Sequence, residues 1–140
     1  MVVDIFHAHG IGWSAVALLA ATSTAMTVLG AEPGPATKLE VEQLLERLDA
    51  SGCQFQRNGS WYSAATARRH LEQKYQYLLD RQRVRTAEDF ISLVATKSSL
   101  SGNAYLVQCG GQPQSYSADW MTTQLREVRA AHRETLPRSN

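Results

Sequence analysis

The sequence predicts a small, mainly helical α+β domain of order α–β–α–α–β–α, with two short paired strands stapled by one disulfide. Three observations lead there. Apolar residues recur at helical spacing in four separate stretches, and two short stretches alternate at the period of a strand. Each of those two short stretches carries one of the two cysteines. Charge marks the domain's limits. All 14 Lys and Arg lie at Lys38 or beyond, and Asp4 alone of the 13 acids precedes Glu32. Residues 32–140 therefore carry 14 basic and 12 acidic groups, a net of +2. That is too near neutral for a dedicated nucleic-acid binder, and the length suits one modest core. The expected organisation is a signal peptide over 1–31, an exposed mature N-terminus over 32–36, a single α+β domain over 37–133 and a flexible tail over 134–140.

Ile11 to Ala31 holds no charged residue, and its apolar centre is Ala15 to Ala21. A short apolar core followed by small residues is the pattern of a secretory signal. Cleavage after Val28-Leu29-Gly30 or Leu29-Gly30-Ala31 would leave Glu32-Pro33-Gly34-Pro35 as an exposed start. The flank before the apolar core departs from the pattern, with Asp4, His7 and His9 but no Lys or Arg. An uncleaved anchor is the alternative, and Thr22, Ser23, Thr24 and Thr27 make it a poor one.

The first helix is expected to open at the capping box Thr37-Lys38-Leu39-Glu40, bury Val41, Leu44, Leu45 and Leu48, and stop at Gly52. The first strand is Cys53 to Arg57, and Asn58-Gly59-Ser60 turns the chain after it. Ser63 caps a second helix with the stripe Ala64, Ala67, Leu71, Tyr75, Leu78. Thr86 caps a third, with Glu88 and Asp89 in its first turn and Phe90, Ile91 and Val94 inward. Ser98 to Gly102 is a loop, and Tyr105 to Cys109 is the second strand. Gly110-Gly111-Gln112-Pro113 breaks structure, and Ser117 caps a last helix that buries Met121, Leu125 and Val128, with Trp120 at its edge.

An even pair of cysteines in an exported chain is read as a bridge, here Cys53 to Cys109. A catalytic Cys53 served by His70 is the competing reading.

Several of these segments together resemble the YfeK-like family of small secreted bacterial proteins of unknown function. They are Cys53-x-Phe55-x-Arg57-Asn58-Gly59, Tyr62-x-Ala64, His70-Leu71-x-x-Lys74-Tyr75, Thr86-Ala87-Glu88-x-Phe90-Ile91, the run from Ser98 to Cys109, and Trp120. The resemblance covers about Leu39 to Arg129. It implies an exported, disulfide-bearing single domain with no assigned reaction.

The chemistry-bearing motifs are few. His-x-x-x-His and Cys-x-x-Cys spacings are missing, so no metal is called for, and no glycine-rich nucleotide loop or Gly-x-Ser-x-Gly elbow occurs. No cofactor is implied. Ser98, Ser99 and Ser101 offer hydroxyls of the kind a serine hydrolase pairs with a histidine, here His70, but their ordinary role is to satisfy backbone groups in a turn. On the second helix, His70, Lys74, Tyr77 and Arg81 form a basic, partly aromatic row beside the apolar stripe. Such a row suits an anionic ligand or an acidic partner, although long basic side chains also line ordinary helix rims. Arg81-Gln82-Arg83-Val84-Arg85 complements a helix C-terminus. Arg57 and the aromatic pair Trp61-Tyr62 flank the Asn58-Gly59 turn, and Arg with aromatics is what interfaces favour.

The function expected is a periplasmic or secreted, non-enzymatic binding domain that recognises an anionic ligand or an acidic partner, an envelope protein or an anionic envelope component. Its recognition residues are Arg57, Asn58, Tyr62, His70, Lys74, Ser98, Ser99 and Ser101, with no nucleic-acid partner and no membrane span in the mature form. The alternatives are an inhibitor or immunity-type protein that blocks an envelope-targeted enzyme, and a small serine hydrolase. If the leader is removed, intact-mass measurement of protein from the envelope fraction should give a mature start at or near Ala31 or Glu32. A mass that retains Met1 to Gly30 would show an anchor instead.

Overall fold

A computed structural model of the chain describes residues 32–135. The expected signal peptide, its cleavage points and the end of the expected tail lie outside those residues. Among them the order is α1 (Pro35–Ala50), β1 (Gln54–Arg57), β2 (Ser60–Ser63), α2 (Ala64–Leu79), α3 (Ala87–Asp89) running into a π-helical segment (Phe90–Ala95), β3 (Leu106–Gln108), β4 (Ser115–Tyr116) and α4 (Ser117–Thr135). The mainly helical α+β class and the disulfide are as expected. The sheet is larger than expected, four antiparallel strands in the order β2-β1-β3-β4.

α1 begins two residues before the anticipated Thr37 cap. Gly34 is its N-cap and makes no side-chain bond, and Pro35 stands in the first turn. Proline presets the helical φ and gives up an N–H that would have had no partner there. Val41, Leu44, Leu45 and Leu48 are buried as their spacing requires, and Gly52 leaves the helix at φ 65°. In α2, Ser63 caps through its side chain to the Thr66 N–H; Ala64, Leu71 and Tyr75 are buried, while Ala67 and Leu78 are half-buried. Thr86 and Asp89 form a reciprocal capping box at the start of α3. The third helix then widens into a π turn, where Phe90, Ile91, Val94 and Ala95 are all buried. The wider turn lets four of six consecutive residues face inward, and Thr96 Oγ1 donates to Ile91 O at 2.7 Å. α4 starts at Ser117 itself, whose N–H donates to Tyr105 O at 3.0 Å. Met121, Leu125 and Val128 are buried, and Trp120 meets Phe55 edge-to-face at 5.7 Å.

β1 is the centre of the sheet. Phe55 lies opposite Tyr62 on one side and Val107 on the other, so these three share the face that looks toward the helices. Arg57 and Tyr105 have the same parity as Phe55 and Val107 and reach that face too. Asn58 and Gly59 close the β1–β2 hairpin at φ 50° and 81°, the positive pair a tight two-residue hairpin turn requires. Ion pairs tie the helices together around the core. Arg129 on α4 holds Glu40 of α1 and Glu88 of α3, and Arg68 on α2 reaches Glu42, Asp49 and Glu72.

Cys53 and Cys109 are bonded with Cα atoms 4.3 Å apart and a sequence separation of 56. A loop of that length contributes about 4 kcal/mol by constraining the unfolded chain. Replacing both cysteines by alanine should therefore lower the melting temperature by roughly 15 °C or more. A variant that melts within a few degrees of the wild type would show that strand pairing suffices without the bond.

Candidate functional site

The β1–β2 hairpin and one face of α2 line a half-open cavity of about 270 Å³. Its walls are Phe55, Gln56, Arg57 and Tyr62 of the β1–β2 hairpin, Thr66, Ala67, Arg69, His70, Leu71 and Gln73 of α2, and Tyr105 and Ser117. Among the described residues no carboxylate lines it.

A directed chain of polar groups crosses this wall. Arg57 Nη1 stands 2.9 Å from His70 Nδ1 and 3.4 Å from Nε2, and His70 Nε2 is 3.0 Å from Tyr105 Oη. A guanidinium has no acceptor, so the nearer nitrogen, Nδ1, must accept. The imidazole is then neutral with its proton on Nε2, and it donates to the Tyr105 hydroxyl. Arg57 donates to His70, His70 donates to Tyr105, and the Tyr105 O–H has no acceptor among the described residues. The guanidinium also lies over the Tyr62 ring, 5.5 Å from its centre.

The electrostatics agree with that assignment. Burial lowers the His70 pKa below 6.5, and the charges of Arg57 and Lys74 lower it further. Burial raises the Tyr105 hydroxyl, against a smaller opposing effect of Arg57, so it stays a protonated donor. Burial also lowers Lys74, with Lys97 adding to the effect.

Of the residues singled out in the sequence, Arg57, Tyr62 and His70 meet in the cavity. Lys74 does not line it. Its ammonium donates to Lys97 O at 2.6 Å and sits 5.3 Å from the centre of the Tyr105 ring, so it braces the loop behind the tyrosine. Asn58 accepts from Ser101 Oγ at 2.6 Å, joining the hairpin turn to the 98–102 loop. Ser98 is buried, and its hydroxyl accepts the Ser101 N–H at 3.4 Å as a turn serine does. Ser99 is exposed. The basic row expected along the second helix divides into two pairs, with Arg81 just past the end of α2. His70 and Lys74 flank Tyr105, while Arg81 stacks on Tyr77 at 3.5 Å and donates to its carbonyl.

The hydrolase reading finds no support in this geometry. Both ring nitrogens of His70 are engaged by Arg57 and Tyr105, and Ser101 Oγ is turned toward Asn58. Among the described residues no three His, Cys, Asp or Glu side chains are grouped to hold a metal ion, and no helix is long and apolar enough to cross a membrane. Sequence reasoning missed Tyr105 and Arg69 as cavity residues. Tyr105 read as a strand residue, and the one available signal was that a buried tyrosine hydroxyl needs a polar neighbour.

A family of unknown function, DUF5329, matches residues 35–129. No curated protein and no solved structure matches the chain.

An imidazole whose pKa is lower in the folded state takes up its proton more readily when unfolded. Its contribution to stability is full above the ordinary value of 6.5 and is lost as pH falls toward the folded value. Urea unfolding at pH 7, 6 and 5 should therefore show wild-type stability declining more steeply than that of His70→Gln. Glu88 and Asp89, both held low by their hydrogen bonds, are common to the two proteins and cancel in the difference. Parallel declines would remove His70 as the cause.

Proposed function

We propose that this chain, which belongs to the DUF5329 family, is an exported, non-enzymatic recognition domain. It receives an anionic group, from a ligand or an acidic partner, in the cavity between the β1–β2 hairpin and α2. The observation that carries this reading is the Arg57–His70–Tyr105 relay, in which every hydrogen bond runs toward the cavity wall and ends on an uncommitted donor. Arg57 and Arg69 stand on walls that hold no carboxylate among the described residues, and a site built of donors and cations is complementary to an acceptor with negative charge. Export to the periplasm or beyond is supported by the Cys53–Cys109 bond, which persists in oxidising compartments, and by the likeness of the Cys53 to Cys109 segments to YfeK-like secreted proteins.

One observation favours a second reading, an inhibitor or immunity-type protein. Leu100 is 98% exposed at the tip of a loop held from several sides. Ser98 N–H bonds Asn103 O, Gly102 N–H bonds Ser98 O, Ser101 reaches Asn58, and Lys74 holds Lys97 O. A braced loop that presents one leucine loses little freedom on insertion into a partner's cleft.

Affinity capture from envelope extract separates the two. If the cavity carries recognition, Arg57→Glu bait should lose the captured species while Leu100→Asp bait retains it. The opposite pattern supports the inhibitor, and capture unaffected by either substitution sinks both. The Leu100→Asp bait should melt within about 3 °C of the wild type because Leu100 is exposed, whereas Arg57→Glu gives up one hydrogen bond to His70 and should melt about 4–8 °C lower while still folding cooperatively.

A further inference from the structure

Hydrocarbon and charge are arranged in this cavity in a way that narrows what can occupy it. Phe55 and Leu71 supply apolar wall, the Tyr62 ring faces the Arg57 guanidinium, and Tyr105 presents its hydroxyl. An apolar cavity of about 150 Å³ accepts a benzene ring, so about 270 Å³ accommodates a ring or a branched chain plus one small polar group. The pocket is half-open to solvent, so a longer ligand would seat one end here and extend outward.

The anion's charge is limited as well. His70 is held neutral between Arg57 and Tyr105, and Arg69 is exposed with its Nη2 turned to Thr66 Oγ1 at 3.3 Å. One half-buried guanidinium and one neutral hydroxyl balance a single negative charge. A phosphate dianion would bring a second charge into a partly apolar site with no further buried cation to meet it. A carboxylate is planar, singly charged and matched to the fork of an arginine.

Resting on the anion-recognition reading above, we propose that the cavity binds an apolar monocarboxylate, an aryl or branched-aliphatic group ending in one carboxylate. The carboxylate accepts from Arg57 and from the Tyr105 hydroxyl, and the hydrocarbon lies against Phe55, Leu71 and the Tyr62 ring. Such chemistry has two sources, a free organic acid or the C-terminal residue of a polypeptide with an apolar side chain.

The test is a titration of the isotopically labelled, oxidised chain with phenylacetate at pH 7, followed by amide chemical shifts. Saturable shifts at Phe55, Tyr62, His70 and Tyr105 are expected, with a Kd on the order of 1 mM for so small a ligand. Phenylacetamide, the neutral analogue, should bind at least tenfold more weakly, and acetate and inorganic phosphate should not saturate at the same concentrations. Arg57→Gln and Tyr105→Phe should each weaken phenylacetate tenfold or more. The comparison among ligands on the wild type stands even if a variant fails to fold. An acetylated tripeptide ending in phenylalanine with a free carboxylate assigns the source. Binding tighter than phenylacetate points to a polypeptide terminus, and weaker or equal binding points to a free acid. Acetate or phosphate binding as well as phenylacetate overturns the apolar-monocarboxylate assignment and leaves anion recognition standing. Phenylacetamide binding equally well overturns anion recognition itself, and no saturable shift with any of these probes overturns both.

Discussion

In the register that β1 takes against β3, Phe55 lies opposite Val107, Gln54 opposite Gln108, and the next rung brings Cys53 to Cys109 with Cα atoms 4.3 Å apart. The side-chain period of a strand is two, so a slip of one residue would turn the inner set outward. Either Phe55 and Arg57 on β1 or Val107 and Tyr105 on the facing segment would then leave the helical face. These strands are two to four residues long and carry little stability of their own. A covalent rung at the end of the ladder excludes the slip, and the Phe55–Trp120 contact ties the same strand to α4. The donor-lined cavity is thus a consequence of one strand register.

The helices contribute through packing more than through charge. Phe90, Leu44, Leu48 and Met121 are fully buried, and truncating side chains of this kind typically costs 2–5 kcal/mol. The ion pairs of Arg129 and Arg68, and that of Arg47 on α1 with Glu127 on α4, lie at partly exposed positions, where each is worth about 0–1 kcal/mol. Their effect is to orient helices that the core already holds. Arg57 differs from them, because its nearest polar neighbour is a neutral imidazole and not a carboxylate. Among the described residues it has no carboxylate partner, and that feature is what motivates the anion-recognition proposal.

Much of the architecture was legible because it obeys local rules. The stripes of α1, α2 and α4, the caps Ser63 and Thr86, the Asn58-Gly59 turn and the cysteine pair each announce themselves within a few residues. β2 and β4 did not. Ser60-Trp61-Tyr62-Ser63 is too short to show alternation, and Ser115-Tyr116 is ordered by pairing with β3. The π turn was hidden as well. Phe90-Ile91-Ser92-Leu93-Val94-Ala95 reads as any amphipathic helix, and the wider turn follows from how many of its residues the core takes in.

The candidate site divides along the same line. Residue type and helical spacing pointed to Arg57, Tyr62 and His70, since an arginine beside aromatics and a histidine at a helix boundary are visible in one dimension. Lys74 has the same one-dimensional credentials, yet it faces Lys97 O and the back of the Tyr105 ring. The sequence by itself determined the class of fold, the pairing of the two thiols and the basic character of the face. Tertiary structure decided that Tyr105 closes the relay, that Lys74 stays out of the cavity, and that His70 is neutral. Those outcomes depend on distances between residues 13 to 35 positions apart, which exist only once β1, α2 and the segment before β3 have packed together.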